Sequence, residues 1–272
     1  MHRLPVSEAA VTATEVVFAY DRHVAVDRST FTIPTRGITA LIGPNGSGKS
    51  TLLNGIAGLM EPAAGSLSIG RAAAAGHLKQ IAYVLQGTEV NKALPVTVRE
   101  VVTMGRYADK NFFRRLTRID RTAIEAAMAR MDIQDIAARH ISDLSGGQRQ
   151  RVFVAQGLAQ DHDILVLDEP VTGLDLVSAK AIDDVIHDEQ THGCTVIMTT
   201  HDLAEARVAD HVLLLSNRVV ASGPPRDVLT MDHLTEAYGA SLLHMDGERL
   251  FIDDPHHHST PTQQSQGQTK PS

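Results

Sequence analysis

The chain has 272 residues, 43 % of them apolar and 21 % charged, with a formal net charge of −7 and one cysteine, Cys194. That composition is that of a globular protein long enough to bury a large core, and its acidic balance argues against a whole-surface nucleic-acid binder while leaving room for a local basic patch. One cysteine excludes an intrachain disulfide. No run reaches the ~18 apolar residues of a bilayer span, so a membrane would be reached through another protein. The first ten residues carry Pro5 and Glu8 and no apolar stretch, which with the cysteine count fits a reducing compartment.

In chain order, residues 14–20 predict a strand, being rich in β-branched and aromatic types. Residues 28–33 alternate in the same way up to Pro34, and Gly37 turns the chain into the run Ile38-Thr39-Ala40-Leu41-Ile42. The opening thus reads as an antiparallel β-layer. Tyr20 precedes the polar Asp21-Arg22-His23; it either offers a flat face to a purine ring or packs on the core as a strand-end tyrosine. Gly43, Pro44, Asn45, Gly46, Ser47, Gly48, Lys49, Ser50 and Thr51 follow, and then Leu52, Leu53, Ile56 and Ala57 at helical spacing. Strand, glycine-rich loop and helix at the spacing G-x-x-x-x-G-K-[ST] make a phosphate-binding loop. Glycines let successive N–H groups turn inward where a Cβ would crowd phosphates, and the helix N-terminus adds positive partial charge. Lys49 can reach the β- and γ-phosphates of a nucleotide, and the Ser50 hydroxyl can ligate Mg²⁺.

Gly58 predicts a helix stop, residues 61–69 a turn and short strand, and residues 80–85 a further strand that ends at Gln86. The Gln86 amide can touch Mg²⁺ or a water, or stand solvated in its loop. From residue 96 to about 160 the pattern is helical. Thr97 to Glu100 opens a helix through Val101, Val102 and Met104. Asp120 reads as the N-cap of another, with Ile124, Ala127, Met128 and Met131 on one face. Between them Arg106, Lys110, Arg114, Arg115 and Arg118, with Phe112 and Phe113, form a basic loop. It is either a solvated face or a contact with a membrane-embedded partner or lipid headgroups.

Leu144-Ser145-Gly146-Gly147-Gln148 then opens a second glycine-led helix, with Ser145 and Gln148 at capping-box spacing. Its N-terminus is an anion site without a lysine, suited to completing a site made mainly by other residues. Residues 164–167 are all apolar, as in a strand buried on both faces. Asp168 and Glu169 stand at its carboxyl end, where open α/β sheets bind ligands. Asp168 can hold Mg²⁺ through water, and Glu169 can accept a proton from an attacking water. Gly173-Leu174-Asp175 leads to a helix through Ile182 and Ile186. Residues 195–200 form a buried strand ending in His201, placed to hydrogen-bond a γ-phosphate. Two strands flank Ser216-Asn217, residues 227–229 and 232–238 read as short helices, and a hairpin turns at Asp246-Gly247. Residues 255–272 read as a disordered polar tail. It begins with His256, His257 and His258, which either bind a transition metal weakly or are plain polar residues.

Over about residues 14–223 these motifs, in this order, resemble the ATP-binding cassette (ABC) ATPases. Gly43 to Thr51 is similar to the Walker A motif, Ile164 to Glu169 to Walker B, and Leu144 to Gln148 to the family signature. Tyr20 falls at the adenine-stacking position, Gln86 at the Q-loop, Asp175 at the D-loop and His201 at the switch histidine. The resemblance implies an α/β fold: a RecA-like P-loop ATPase core with an antiparallel β subdomain and a helical subdomain, about residues 96–160, that carries the signature. It implies one ATPase domain over residues 12–254 with ATP and Mg²⁺ as ligands, Mg²⁺ being held by Ser50, Gln86 and Asp168. It implies a homodimer with ATP sandwiched between copies, in which Ser145, Gly146, Gly147 and Gln148 contact the ATP bound at the other copy's Lys49. Glu169, His201 and Lys49 would be the catalytic residues. Partners would be a membrane permease and, for an importer, an extracytoplasmic substrate-binding protein, with the chain at the cytoplasmic face of the membrane. Thr172-Gly173 departs from the Ser-Ala of many members. Residues 94–107 and 169–175 are similar to manganese- and zinc-type importers; iron-chelate importers share parts of them, and an exporter is a further alternative. A DNA-repair or chromosome-organising ATPase of this family would need a long coiled-coil insertion between Gln86 and Leu144, and the gap is short.

Overall fold

The computed structural model describes residues 9–70, 81–85, 95–107, 115–239, 243–246 and 249–252. Gln86, the aromatic pair Phe112 and Phe113, and the tail with His256, His257 and His258 lie outside them. The chain opens with β1 (Ala9–Tyr20) and β2 (His23–Pro34), antiparallel from Tyr20 opposite His23 to Ala9 opposite Pro34. It enters the core as β3 (Ile38–Ile42), turns into α1 (Lys49–Ile56), and returns as β4 (Ala64–Ile69) on the free edge of β1. Both opening strands are longer than the composition of residues 14–20 and 28–33 predicts. The antiparallel pairing carries β1 back through residues 9–13, of which Ala10, Val11 and Ala13 are buried, and β2 back through residues 23–27, of which Val26 is buried.

Next come β5 (Ile81–Val84), α2 (Val98–Met104), α3 (Arg118–Arg130) and α4 (Gly146–Leu158). Then β6 (Ile164–Leu167), α5 (Leu176–Thr191), β7 (Thr195–Thr199), α6 (Leu203–Val208), β8 (His211–Leu215) and β9 (Val219–Gly223) complete a six-stranded sheet. Its order is β5-β6-β7-β3-β8-β9, parallel except for β9. α7 (Pro225–Val228), α8 (Met231–Tyr238) and the hairpin of β10 (Leu243–Asp246) and β11 (Arg249–Ile252) follow.

The central strands are buried on both faces, and the two-residue period of a strand splits their side chains between two cores. Leu41, Val166 and Ile197 join Phe18, Val26, Leu52 and Ile56 under the antiparallel layer. Ala40, Ile42, Leu165, Leu167 and Val196 join Val152, Ala155, Ile182 and the helical residues Val98, Ile124 and Met128 on the other side. No described helix is long and apolar enough to cross a membrane.

Two details differ from the sequence reading. The N-cap of α3 is Thr117, not Asp120. Asp120 stands three residues further on, where its carboxylate accepts from the Thr117 N–H (2.8 Å) and hydroxyl (2.7 Å) to close a capping box. Arg106 belongs to no solvated basic face. It is buried, donating to Asp120 (3.0 Å), to the Ala159 carbonyl (2.9 Å) and to Asp161 (2.8 and 3.0 Å). A buried guanidinium needs such partners to offset its desolvation. Arg115 and Arg118 remain exposed.

Candidate active site

β6, β7 and β3 are consecutive neighbours in the sheet, so their carboxyl ends bring three distant segments to one edge. Beyond β3 the loop reverses through Gly48, which caps α1 with a left-handed φ of 97°. A Cβ there would sit 2.6 Å from the Ala25 carbonyl oxygen. Only glycine therefore brings the loop against β2 at this point. Lys49 is 6 % exposed and donates from Nζ to the carbonyls of Gly43 (2.8 Å) and Pro44 (3.1 Å). The cation thus lies folded onto its own loop. Burial lowers its pKa, against the opposing pull of Glu169 and Asp168.

Asp168, at the end of β6, is buried and accepts from the Thr199 hydroxyl at 2.7 Å. The same Thr199 oxygen accepts from the Glu169 backbone N–H, also at 2.7 Å. One hydroxyl on β7 thereby fixes both acidic residues of β6. Sequence reasoning passed over Thr199 as a strand residue; the available signal is a polar residue closing an apolar strand whose neighbour ends in carboxylates. Glu169 holds a positive φ of 46°, a conformation that costs a non-glycine residue ~1–3 kcal/mol. Its Oε1 lies 2.5 Å from His201 Nε2. The His201 hydrogen bond holds the Glu169 carboxyl below the usual range despite its partial burial. Glu169 is therefore ionised at neutral pH and ready to accept a proton.

A cleft of about 340 Å³ opens between these groups. Tyr20, His23 and Ala25 line it from β1 and β2, Asn45, Gly46, Gly48, Lys49, Ser50 and Thr51 from the phosphate loop and the start of α1, and Glu169 from beyond β6. Tyr20 is 51 % exposed and lines the cleft rather than packing on the core as a strand-end tyrosine. His23 and Ala25 are additions that no motif announced. The loop fits a phosphate chain: among the described residues, a Cβ on Gly46 would meet nothing within 4 Å, and the buried Ser47 hydroxyl lacks a hydrogen-bond partner. Ser50, which lines the cleft, and Asp168, whose charge acts on Lys49, offer the hydroxyl and carboxylate oxygens that Mg²⁺ prefers.

Ser145, Gly146, Gly147 and Gln148 do not line this cleft. Ser145 caps α4, accepting from Gln148 N–H (3.2 Å), while the Gln148 side chain accepts from Ser145 N–H (3.1 Å). Ser145 and Gly146 are exposed. Gly147 packs on α5, where a Cβ would lie 2.5 Å from Ser178 Oγ and 2.6 Å from Asp175 Oδ2. Asp175 in turn caps α5 by accepting from Ser178 N–H at 2.9 Å. The fold thus joins the second glycine segment to Asp175, in a cluster apart from the phosphate loop.

An ionised carboxylate lining the same cleft as a phosphate cradle, from a strand two places along the sheet, is the working end of a phosphate-loop ATPase. The chain belongs to the ABC transporter family, whose model matches residues 26–172, and within that family it is an ATP-binding subunit that hydrolyses ATP. It is 37 % identical over 235 residues to the chelated iron transport system membrane protein YfeB of Yersinia pestis, covering 85 % of this chain and 79 % of that protein. It is 36 % identical over 242 residues to the manganese transport system ATP-binding protein MntA of Synechocystis, covering 88 % and 92 %. Among solved structures, an inward-facing transporter provisionally assigned to the metal-chelate type matches with a TM-score of 0.74 at 27 % identity, over 89 % of this chain and 95 % of that one.

Proposed function

We propose that this subunit powers the import of a divalent metal ion, manganese or zinc, through a separate membrane permease at the cytoplasmic face of the membrane. The likeness to the Synechocystis manganese subunit over nearly its whole length carries this reading, together with the importer-like residues 94–107. The Yersinia pestis relative favours a second cargo, chelated iron. Residues 12–254 would form the ATPase domain, and an importer would also engage an extracytoplasmic substrate-binding protein.

The proposed chemistry uses the cleft as built. Adenine lies against Tyr20, and the backbone of Gly43 to Thr51 holds the phosphates. Lys49 exchanges the Gly43 and Pro44 carbonyls for the β- and γ-phosphate oxygens. Ser50 and Asp168, with Gln86, would hold Mg²⁺, which neutralises charge on the phosphate oxygens when bound. Glu169 takes the proton of the attacking water, and His201 orients Glu169 and reaches the γ-phosphate. Two copies meet head to tail, so that Ser145 to Gln148 of one complete the site on the other. The exposure of Ser145 and Gly146, and of Leu176 and Val177 beside Asp175, supports a surface that a second copy covers.

Tracer uptake of manganese, zinc and iron in cells lacking this gene tests the cargo, with wild type and Lys49→Ala as complements. A defect confined to manganese or zinc, restored only by wild type, is expected. A defect confined to iron transfers the assignment to chelated iron, and unchanged uptake of all three removes the metal reading.

A further inference from the structure

A histidine, a glutamate and the cysteine of this chain meet at the edge of the sheet opposite the ATP cleft. His162 lies two residues before β6, Cys194 immediately precedes β7, and Glu189 lies in the last turn of α5. One nitrogen, one oxygen and the sulfur of these residues all lie within 4.8 Å of one another. Nothing in ATP binding or hydrolysis uses them.

Each group is held from behind. His162 Nδ1 is 2.9 Å from the Gln160 carbonyl, which can only accept, so Nδ1 carries a proton and Nε2 points to Glu189 Oε2 at 3.1 Å. The other Glu189 oxygen, Oε1, takes a hydrogen bond from Arg130 Nη1 at 2.5 Å. Cys194 is buried, with Sγ 3.3 Å from the Asp163 carbonyl. Side-chain exposure of 6 % for His162 and 11 % for Glu189 puts the cluster just beneath the surface, partly shielded from water yet reachable. Outer partners that fix an imidazole and a carboxylate in this way are the usual support of a metal centre.

We propose that His162, Glu189 and Cys194 bind a divalent transition ion of the zinc class, with a fourth position left to water. Imidazole nitrogen, thiolate sulfur and carboxylate oxygen together suit a borderline-soft, four-coordinate ion, and a thiolate disfavours oxygen-seeking Mg²⁺ and Mn²⁺. Ligand bonds of ~2.0–2.3 Å set tetrahedral edges of roughly 3.5 Å, so closure asks for movements of about 1 Å, within side-chain reach. Binding releases the thiol proton and the Nε2 proton that His162 shares with Glu189; the ion takes their place. Two ligands sit just before β6 and β7 and the third near the end of α5, elements whose opposite ends carry Asp168 and Glu169, Thr199 and His201, and Asp175. A bound ion would tie together the bases of the three elements that hold the hydrolytic groups. The proposal does not depend on which cargo the transporter moves.

The test is a titration of Co²⁺, a spectroscopic stand-in for zinc, into the full-length nucleotide-free protein. Because Cys194 is the single cysteine of the chain, a thiolate-to-cobalt charge-transfer band reports this cluster alone; neither the polyhistidine tail nor Ser50 and Asp168 can produce it. The expected result is a band that saturates at one equivalent, is displaced by Zn²⁺, and is absent from Cys194→Ser. His162→Gln and Glu189→Gln should each weaken cobalt binding by about tenfold or more. No band at saturating cobalt overturns the proposal, as does a band whose affinity neither substitution changes. Should the Glu189 variant fold poorly, thermal unfolding decides: Zn²⁺ is expected to raise the wild-type midpoint and leave Cys194→Ala unmoved. Equal stabilisation of both overturns the site.

Discussion

Glu169 and His201 are separated by 32 positions in the chain, yet Oε1 and Nε2 meet at 2.5 Å. Adjacent parallel strands β6 and β7 end side by side and place them there. Glu169→Gln removes the proton acceptor while keeping its shape. Turnover is expected to fall by ~10²–10⁴-fold with ATP binding retained, read by phosphate release and nucleotide-binding assays. Near-normal turnover would remove Glu169 as the base.

Two glycines separate folding from catalysis. Gly48→Ala forces a left-handed residue and a 2.6 Å approach to the Ala25 carbonyl, so denaturant unfolding should show a loss of at least ~1–3 kcal/mol along with lost ATP binding. At Gly146 a Cβ meets nothing within 4 Å, and alanine favours the helix by up to about 1 kcal/mol. Gly146→Ala should therefore unfold no earlier than wild type. If Gly146 meets the ATP of a second copy, turnover nonetheless falls about tenfold or more; unchanged turnover would count against that contact.

The partners of Arg106 differ in worth. Asp120 is 1 % exposed and Asp161 is 82 % exposed. Asp120→Ala leaves a buried guanidinium short of its enclosed carboxylate, and a loss of ~3–5 kcal/mol is expected from equilibrium unfolding. Asp161→Ala lets water replace the lost oxygens, and the change should stay within about 1 kcal/mol. Equal losses would contradict this ranking.

Glu205 gives a pH signature. Burial raises its pKa, and the Thr200 hydroxyl, donating at 2.6 Å, offsets only part of this. A carboxyl with a raised folded-state pKa favours the fold at low pH and loses that contribution as pH rises through its folded value. Glu205→Gln keeps the acceptor and removes the charge. Its unfolding midpoint should exceed that of wild type at pH 7, and the gain should vanish below the ordinary carboxylate range. A gain independent of pH would assign the effect to packing.

Much of the fold was legible because its signals are local. The four apolar residues and one threonine of β3, followed by a glycine-rich turn, lead into a helix at Lys49, and Ser145 with Gln148 spells its own cap. The misreadings have two causes. Asp120 has cap chemistry in sequence, but Thr117 three residues earlier gives the capping-box spacing and is the better local candidate. Arg106 looked solvated because its partners, Asp120 and Asp161, are 14 and 55 positions away. Thr199 gained its role only when β7 came to lie beside β6.

By itself the sequence determined the phosphate loop, the paired carboxylates, the second glycine-led helix and their order along the chain. Each depends on residue types within a few positions, where backbone geometry follows directly from the side chains. Only the tertiary structure decided that the Glu169 carboxylate pairs with His201 and that Tyr20 walls the cleft. It alone gathered His162, Glu189 and Cys194 at the far edge of the sheet. Those are contacts between strands and helices that only packing brings together, and their energetics depend on burial, which no local stretch of sequence encodes.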